Sequence, residues 1–382
     1  VGVLAAPTLP DPSAGEQQTG SGNSGELIHA DSGTLPVSAF SRFDPGNLES
    51  TGARAAVPRE GDGDSGGPGG TAGTRATGVA NPARAARAGQ AGSPAAADAS
   101  RPRTREEIAA TLNVEERWPE VARQSGGVVA DRQVIAYYGH PFSRFMGVLG
   151  ETAIETMAEQ LKRRAAEYDA INGEIGVAPA FHIIYGTVYE DASVGILREY
   201  KLLEYIEFAR ENGLIVFLDH QIGNGSVEDA IRAMLPYLRY DHVHLAFDPE
   251  WATERPGKEI GGVHADDINR AQQMMQDYLI ERDLPGPRML VVHQFNWRMI
   301  EERELVRSDF PMVQLIHHAD GFGSPPDKRA SWQFNVIAEN IPLKGFKLFY
   351  PKSWRDGGYD DPLMSPAQVM QLEPVPVYIQ YQ

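Results

Sequence analysis

The chain has 382 residues, a net charge of −17 and no cysteine, and these values exclude several classes of protein. Without cysteine there is no disulfide, thiolate metal site or cysteine nucleophile. The acidic balance argues against nucleic acid as a partner, because nucleic-acid binding needs a basic patch. No stretch approaches 18 consecutive apolar residues, so we expect no membrane span.

The first hundred residues differ in composition from the rest of the chain. Residues 1–103 contain 18 of the 39 glycines but only two of the 33 aromatic residues. So few apolar side chains cannot offset the chain entropy, and we expect a linker, stalk or interaction arm. Residues 25–43 mix Leu, Ile, Val and Phe, which favours self-association through this segment. The small apolar residues at the start are typical of the end of a removed signal segment, so we expect an extracellular or cell-surface location.

From residue 104 onward the sequence alternates short β-rich runs with longer helical patterns. Thr104 and the acidic residues after it predict a helix start, and we expect residues 104–128 to form a covering helix. The predicted strands lie at residues 133–138, 180–185, 214–219, 242–247, 289–294, 312–317, 346–349 and 377–381. The predicted helices between them lie at residues 152–168, 198–212, 227–235, 265–282, 331–339 and 365–372.

Eight strands separated by crossovers are typical of one α/β architecture, the (β/α)8 TIM barrel. We therefore predict such a barrel over residues 129–382. A doubly wound open sheet fits less well, because no Gly-x-Gly-x-x-Gly follows the first strand.

Alternation within the fourth strand predicts which side chains face the barrel interior. Successive side chains of a strand point to opposite faces, so Val243, Leu245 and Phe247 would share the face toward the helices. The opposite face, toward the interior, would carry His242, His244, Ala246, Asp248 and Glu250. We expect His242 and His244, near the start of the strand, to be hydrogen-bonded core residues.

Active sites of this fold lie at the C-terminal ends of the strands, where the sequence concentrates polar and aromatic residues. The candidate catalytic residues are Asp219, Asp248, Glu250 and Asp320. The candidate substrate-binding residues are His140, Tyr189, Trp251, His293, Gln294, Asn296, Trp297 and His318. Carboxylates can protonate a glycosidic oxygen, and aromatic rings can pack on sugar rings. This combination predicts a carbohydrate site, and we expect neither a cofactor nor a metal.

The Asp248-Pro-Glu250-Trp251 segment is the most specific element of this set. Two carboxylates two residues apart repel each other, which favours one that stays protonated near neutral pH. We therefore expect Glu250 to be a general acid, with Asp219 or Asp320 as the second carboxylate. In the alternative, Asp248 caps a helix and Glu250 is exposed, since Asp-Pro is common in turns.

With these residues the chain resembles the glycoside-hydrolase type of (β/α)8 barrel. Asp248-x-Glu250 is similar to the end of the chitinase-like motif on the fourth strand. The resemblance implies that Glu250 donates the proton and that Asp248 orients the substrate's acetamido group. Two departures are visible: His242 and His244 stand where that motif has its earlier Asp residues, and the seventh strand ends in Tyr350-Pro rather than the glutamate nucleophile of the largest retaining clan.

Two alternative functions remain open at this point. Eight of the ten histidines fall in or just after predicted strands, and with Asp219, Glu250 or Asp320 they would suit a metal-dependent barrel hydrolase. The barrel would otherwise be a non-catalytic surface or self-assembling structural protein that uses residues 1–103 as an arm, because a fold does not fix a function.

Overall fold

The computed structural model describes residues 103–351 and 358–382. Residues 1–102, which hold nearly all of the predicted leader and the whole 25–43 segment, lie outside the described residues.

Eight parallel strands form a closed barrel, which confirms the predicted fold. In chain order they are β1 Arg132–His140, β2 Gly176–Val188, β3 Ile215–Gln221, β4 Val243–Asp248, β5 Arg288–Gln294, β6 Val313–Ala319, β7 Leu343–Leu348 and β8 Tyr378–Tyr381. Each strand pairs in parallel with the next one along the chain. The barrel closes where β8 pairs with β1, with Tyr378 opposite Val134. All eight predicted strands overlap the observed ones.

Helices cover most of the crossovers between these strands. The helices are α1 Arg105–Leu112, α2 Val114–Arg117, α3 Glu120–Ser125, α4 Ile154–Asp169, α5 Glu199–Asn212, α6 Val227–Met234, α7 Ala265–Glu281, α8 Pro325–Val336 and α9 Pro366–Val369. The β5–β6 crossover instead carries two short 3-10 turns, Trp297–Met299 and Arg303–Leu305. Across residues 103–351 and 358–382, no helix combines the length and the apolar character that crossing a membrane requires.

Three short helices, rather than one, form the predicted covering segment. The capping signal is confirmed, since Thr104 and the Glu107 side chain form a capping box at the start of α1. The helix ends at Asn113, whose left-handed backbone (φ 46°) stops it, and α2 ends just before Pro119. The segment lies at the N-terminal end of the barrel, where Gln314 at the start of β6 donates to the Ser125 hydroxyl at 2.7 Å.

Trp118 anchors this segment, and its removal gives a test of the packing. Its side chain is 3% exposed, and its Nε1 donates to the Val129 carbonyl at 3.0 Å. We expect Trp118→Ala to lower the free energy of unfolding by about 3–5 kcal/mol, because a buried aromatic side chain leaves a cavity. Trp297→Ala is the matched control, since Trp297 is 43% exposed. Urea denaturation measures both, and an equal loss in the two variants would contradict the packing described here.

Candidate functional site

A cluster of buried charged side chains fills the barrel interior near the C-terminal ends of the strands. The side chains come from five different strands or strand ends: His182 of β2, Asp219 of β3, His293 of β5, Asp320 after β6 and Lys347 of β7. Parallel strands end at the same rim of a barrel, so residues far apart in sequence meet there. Charges removed from water are stable only when they are paired, and this cluster pairs them.

His293 is the centre of the cluster because it contacts two carboxylates. Its Nε2 lies 3.3 Å from Asp219 Oδ2, and its Nδ1 lies 3.1 Å from Asp320 Oδ2. His182 Nε2 lies 3.1 Å from the same Asp219 oxygen, and Lys347 Nζ lies 2.9 Å from Asp320 Oδ1. The five side chains therefore form one continuous chain of contacts across the barrel, which ends at a neutral His182, because burial lowers its pKa to about 4 against the opposing effect of Asp219.

This pairing controls the protonation of its members. Burial lowers the pKa of His293, but Asp320 and Asp219 outweigh it and raise the value to about 10. Burial raises the pKa of Asp219, yet His293 and His182 hold it well below its usual range. The pKa of Asp320 is lowered in the same way, against burial, by Lys347 and His293. At neutral pH the two carboxylates are ionised.

Asp248 behaves differently from these two carboxylates. Burial raises its pKa to about 6, with Asp320 and Asp219 adding to the effect while His293 and Lys347 oppose it. Asp248 is thus a buried carboxyl that keeps its proton in mildly acidic solution. Burial is the largest cause of this shift, and the charges of Asp320 and Asp219, which come from other strands, add to it.

In the alternative interpretation of this segment, Asp248 caps a helix and Glu250 is exposed. Only the first half of this interpretation resembles the structure. Asp248 Oδ1 accepts a hydrogen bond from the Glu250 backbone N–H at 3.1 Å and so caps the 3-10 turn Pro249–Trp251. Glu250, however, is buried at 6% exposure rather than exposed. The carboxylates of Glu250, Asp219, Asp248 and Asp320 all act on Tyr138 and, with its burial, raise its pKa, so Glu250 lies near the same cluster.

Lys347 and Tyr138 were not among the predicted site residues. Lys347 Nζ lies 4.3 Å from the centre of the Tyr138 ring, as well as beside Asp320. The seventh strand was predicted to begin at residue 346, three residues late, which hid the alternation. Phe346 packs on Trp332 of α8, so its neighbour Lys347 must face the interior. Alternation over the full strand would have found this lysine.

Gln294 lies outside the cluster, on the helix side of the sheet. Its Oε1 accepts hydrogen bonds from His317 Nε2 at 2.7 Å and from Arg303 Nη1 at 3.0 Å. Because His293 faces the interior, the next residue on the strand must face the helices. Gln294 and His317 therefore belong to a separate buried network with Lys344, whose Nζ lies 3.3 Å from His317 Nδ1.

The two histidines that were predicted as core residues of the fourth strand, His242 and His244, lie in different environments. His244 is buried, and its Nδ1 accepts a hydrogen bond from the Met289 backbone at 3.0 Å. His242 precedes β4, and its Nε2 donates to the Ile206 carbonyl of α5 at 2.9 Å. The expectation that His242 lines the barrel interior was wrong, because the strand begins one residue later than predicted.

Of the remaining predicted residues, His140 is the last residue of β1, and the others follow the strands. Tyr189 is 49% exposed with its ring against Gly195, Trp297 is 43% exposed with the Arg298 guanidinium 5.4 Å from its ring centre, and Trp251 is half-buried. Asn296 Oδ1 accepts a hydrogen bond from the Arg298 backbone at 3.0 Å and caps the following turn. His140 Nδ1 accepts one from the Phe142 backbone at 3.2 Å, and burial lowers the pKa of His140 to about 4.

Two groups within the cluster have donor atoms close enough to hold a metal ion. One is His182, Asp219 and His293, and the other is His293, His318 and Asp320. In each group the ligand atoms lie within 4.8 Å of one another. The two groups share His293, through opposite nitrogens of its ring.

Comparison with known proteins finds similarity to solved structures alone, at low identity. No protein-family model and no curated protein matches the chain. Similar solved structures include a chitinase from Chromobacterium violaceum, with 12% identity over 56% of this chain and 68% of that one and a TM-score of 0.32. A family 18 N-acetylglucosaminidase from Paenibacillus barengoltzii has 20% identity over 62% and 75% of the two chains and a TM-score of 0.33. A β-mannanase from Streptomyces thermolilacinus has 13% identity over 65% and 76% and a TM-score of 0.33.

These similar structures are glycoside hydrolases, and the activities in their names are those of the named proteins. The barrel fold that the resemblance implied is confirmed by the closed strand order of this chain itself.

The contacts of His293 with two carboxylates predict how its pKa changes when one of them is removed. Asp320→Asn should lower the pKa of His293 from about 10, because it removes the carboxylate with the largest raising effect. Ring nitrogen shifts of labelled histidine, followed by NMR across pH, measure the change. Asp266→Asn, at an exposed position on α7, is the matched control. A His293 pKa that is equal in the two variants would contradict the pairing.

Proposed function

We propose that this barrel binds and hydrolyses a carbohydrate at the C-terminal ends of its strands. The observation that carries the proposal is the opposed protonation of neighbouring buried carboxyls. Asp248 keeps a proton up to about pH 6, whereas Asp219 and Asp320 stay ionised. Glycoside hydrolysis uses one protonated and one ionised carboxyl, so a site that holds carboxyls in both states suits this reaction, and the Asp248-x-Glu250 resemblance assigns the donor role to Glu250.

In the proposed reaction Glu250 donates the proton to the glycosidic oxygen. Asp248 accepts a hydrogen bond from the Glu250 backbone N–H and so orients Glu250. Asp248 also holds a proton beside Glu250. Asp219 is the second carboxylate and stabilises the positive charge that develops on the sugar ring, with Asp320 as the alternative for this role. His182 and His293 keep Asp219 ionised and fix its position.

The loops after the strands would bind the rest of the glycan. Trp297, Tyr189 and Trp251 are the proposed platforms for sugar rings, since the first two side chains are 43% and 49% exposed and aromatic faces pack on pyranose rings. His140, Asn296, His293 and His318 are the proposed hydrogen-bonding partners of the sugar hydroxyls. Residues 1–103 would tether the barrel at the cell surface or outside the cell, where such glycans occur.

Removal of the proposed acid tests this function. We expect the full chain to release reducing ends from at least one of chitohexaose, cellohexaose and mannohexaose. Glu250→Gln should lower kcat by about a thousandfold or more, because it removes the proton from the leaving group while the side chain keeps its size. Glu254→Gln is the matched control at a nearby exposed position and should keep full activity.

Two results would contradict the proposed function. One is that none of the three hexasaccharides is bound or cleaved by the full chain. The other is that Glu250→Gln, folded by circular dichroism, cleaves its substrate as fast as Glu254→Gln.

The raised pKa of Asp248 predicts the pH dependence of the reaction. If the proton on Asp248 is needed, kcat/KM on the cleaved hexasaccharide should fall as pH rises through about 6, where Asp248 ionises. Asp248→Asn cannot ionise, so it should lower activity and remove this limb of the profile. If the fall of kcat/KM near pH 6 persists unchanged in Asp248→Asn, the titrating group is not Asp248.

A further inference from the structure

His318 lies beside the interior cluster, with its ring next to that of His293, but has no part in the charge pairing. Its side chain is 0% exposed, and within the described residues neither ring nitrogen has a hydrogen-bond partner. A buried polar group without a partner costs about 1–3 kcal/mol, so such a group calls for a ligand. His318 lies directly opposite His293 in the β5–β6 ladder, and the two ring centres are 5.1 Å apart.

The structure makes room for this imidazole. Gly345 of β7 is the ladder partner of His318 on its other side. A Cβ atom at Gly345 would lie 2.5 Å from His318 Nδ1, which is closer than any side chain tolerates. The position therefore requires glycine, because the His318 ring packs directly against the Gly345 backbone.

Two further donor atoms lie beside His318 and are already close together. His293 Nδ1 and Asp320 Oδ2 are 3.1 Å apart, and one ligand atom from each of His293, His318 and Asp320 lies within 4.8 Å of the other two. Ligand bonds of about 2.0–2.1 Å in a tetrahedral site separate neighbouring ligand atoms by roughly 3.4 Å. The His293–Asp320 pair is near that spacing, and only the His318 ring has to approach.

Each of these two donors is oriented by a partner on its far side. His293 Nε2 faces Asp219 Oδ2, and Lys347 Nζ occupies Asp320 Oδ1, which leaves Oδ2 for a ligand. Carboxylates on the outer nitrogen of a ligating histidine fix its ring orientation in metal sites. The other group of donors is less suited, because it holds no histidine with both ring nitrogens unpartnered: His182 Nδ1 lies 2.5 Å from the Tyr378 hydroxyl.

We propose that His293, His318 and Asp320 bind one divalent transition-metal ion, through His293 Nδ1, one nitrogen of His318 and Asp320 Oδ2. Two imidazoles and one carboxylate favour ions such as Zn²⁺ or Co²⁺ over Mg²⁺ and Ca²⁺. The ion takes the place of any proton on Nδ1. Three protein ligands leave a coordination position for water or a substrate hydroxyl. The ion goes beyond the proposed function, which uses His293 and His318 as sugar-binding partners and Asp320 as the alternative second carboxylate, and which assigns a metal to none of them.

Metal titration of the full chain tests this proposal without any glycan. After dialysis against a chelator, Zn²⁺ and Co²⁺ are added separately, and binding is followed by calorimetry and by the visible spectrum of bound Co²⁺. We expect one ion per chain. His318→Ala should weaken the affinity by about a hundredfold or more, and Lys347→Met, which loosens Asp320, by about tenfold.

His264→Ala is the matched control, because His264 is exposed beside Glu301 and Glu302 and is the histidine most open to adventitious binding. His264→Ala should bind like the wild type. His318→Asn serves as a second variant, and circular dichroism establishes that each variant is folded. The proposal is overturned if the chain binds no stoichiometric ion, or if binding survives in folded His318→Ala and His318→Asn. Neither result would bear on hydrolysis.

Discussion

The pairing of His293 with Asp219 and Asp320 is the interaction on which the interior of this barrel depends. A carboxylate taken out of water costs several kcal/mol unless a positive charge and hydrogen bonds compensate it. His293 compensates two carboxylates from two different strands, one at each ring nitrogen. Lys347 compensates Asp320 from a third strand. The closed strand order brings these side chains together, and in turn their pairing makes so polar an interior compatible with a folded barrel.

The outer face of the sheet holds this arrangement in place with a second set of buried cations. Lys344 donates to the Asn335 and Ala338 carbonyls at the end of α8. Lys328 of α8 donates to the Lys347 carbonyl at 2.6 Å and lies 3.5 Å from Asp360. These contacts fix α8 and β7 against each other, and β7 is the strand that carries Lys347 into the interior. The helix layer thus positions Lys347 through its backbone carbonyl, while the Lys347 side chain points into the barrel interior.

The fold was predictable because each strand is a short β-rich run with a local signal. Alternation also placed His244 correctly, since facing direction follows directly from parity. It failed where a strand boundary was shifted: His242 falls before β4, and Lys347 was missed because the seventh strand was predicted to begin too late.

The protonation pattern could not be read from the sequence. The repulsion between Asp248 and Glu250 is a local feature, but the pKa of Asp248 depends on burial and on His293, Asp320 and Asp219, which come from three other strands. The close packing of the His318 ring likewise depends on a glycine of the neighbouring strand. Such features can be derived only when the register of the closed barrel is known.

The central claim is that the carboxylates at the C-terminal ends of the strands act on a carbohydrate. A crystal structure of the Glu250→Gln variant, soaked separately with chitohexaose, cellohexaose and mannohexaose, tests it most directly. The account predicts that one of these sugars lies across the strand ends, with a glycosidic oxygen within hydrogen-bonding distance of the residue 250 amide and a ring packed on Trp297 or Tyr189. Sugar bound only elsewhere on the chain, or no sugar in any of the three crystals, would contradict it.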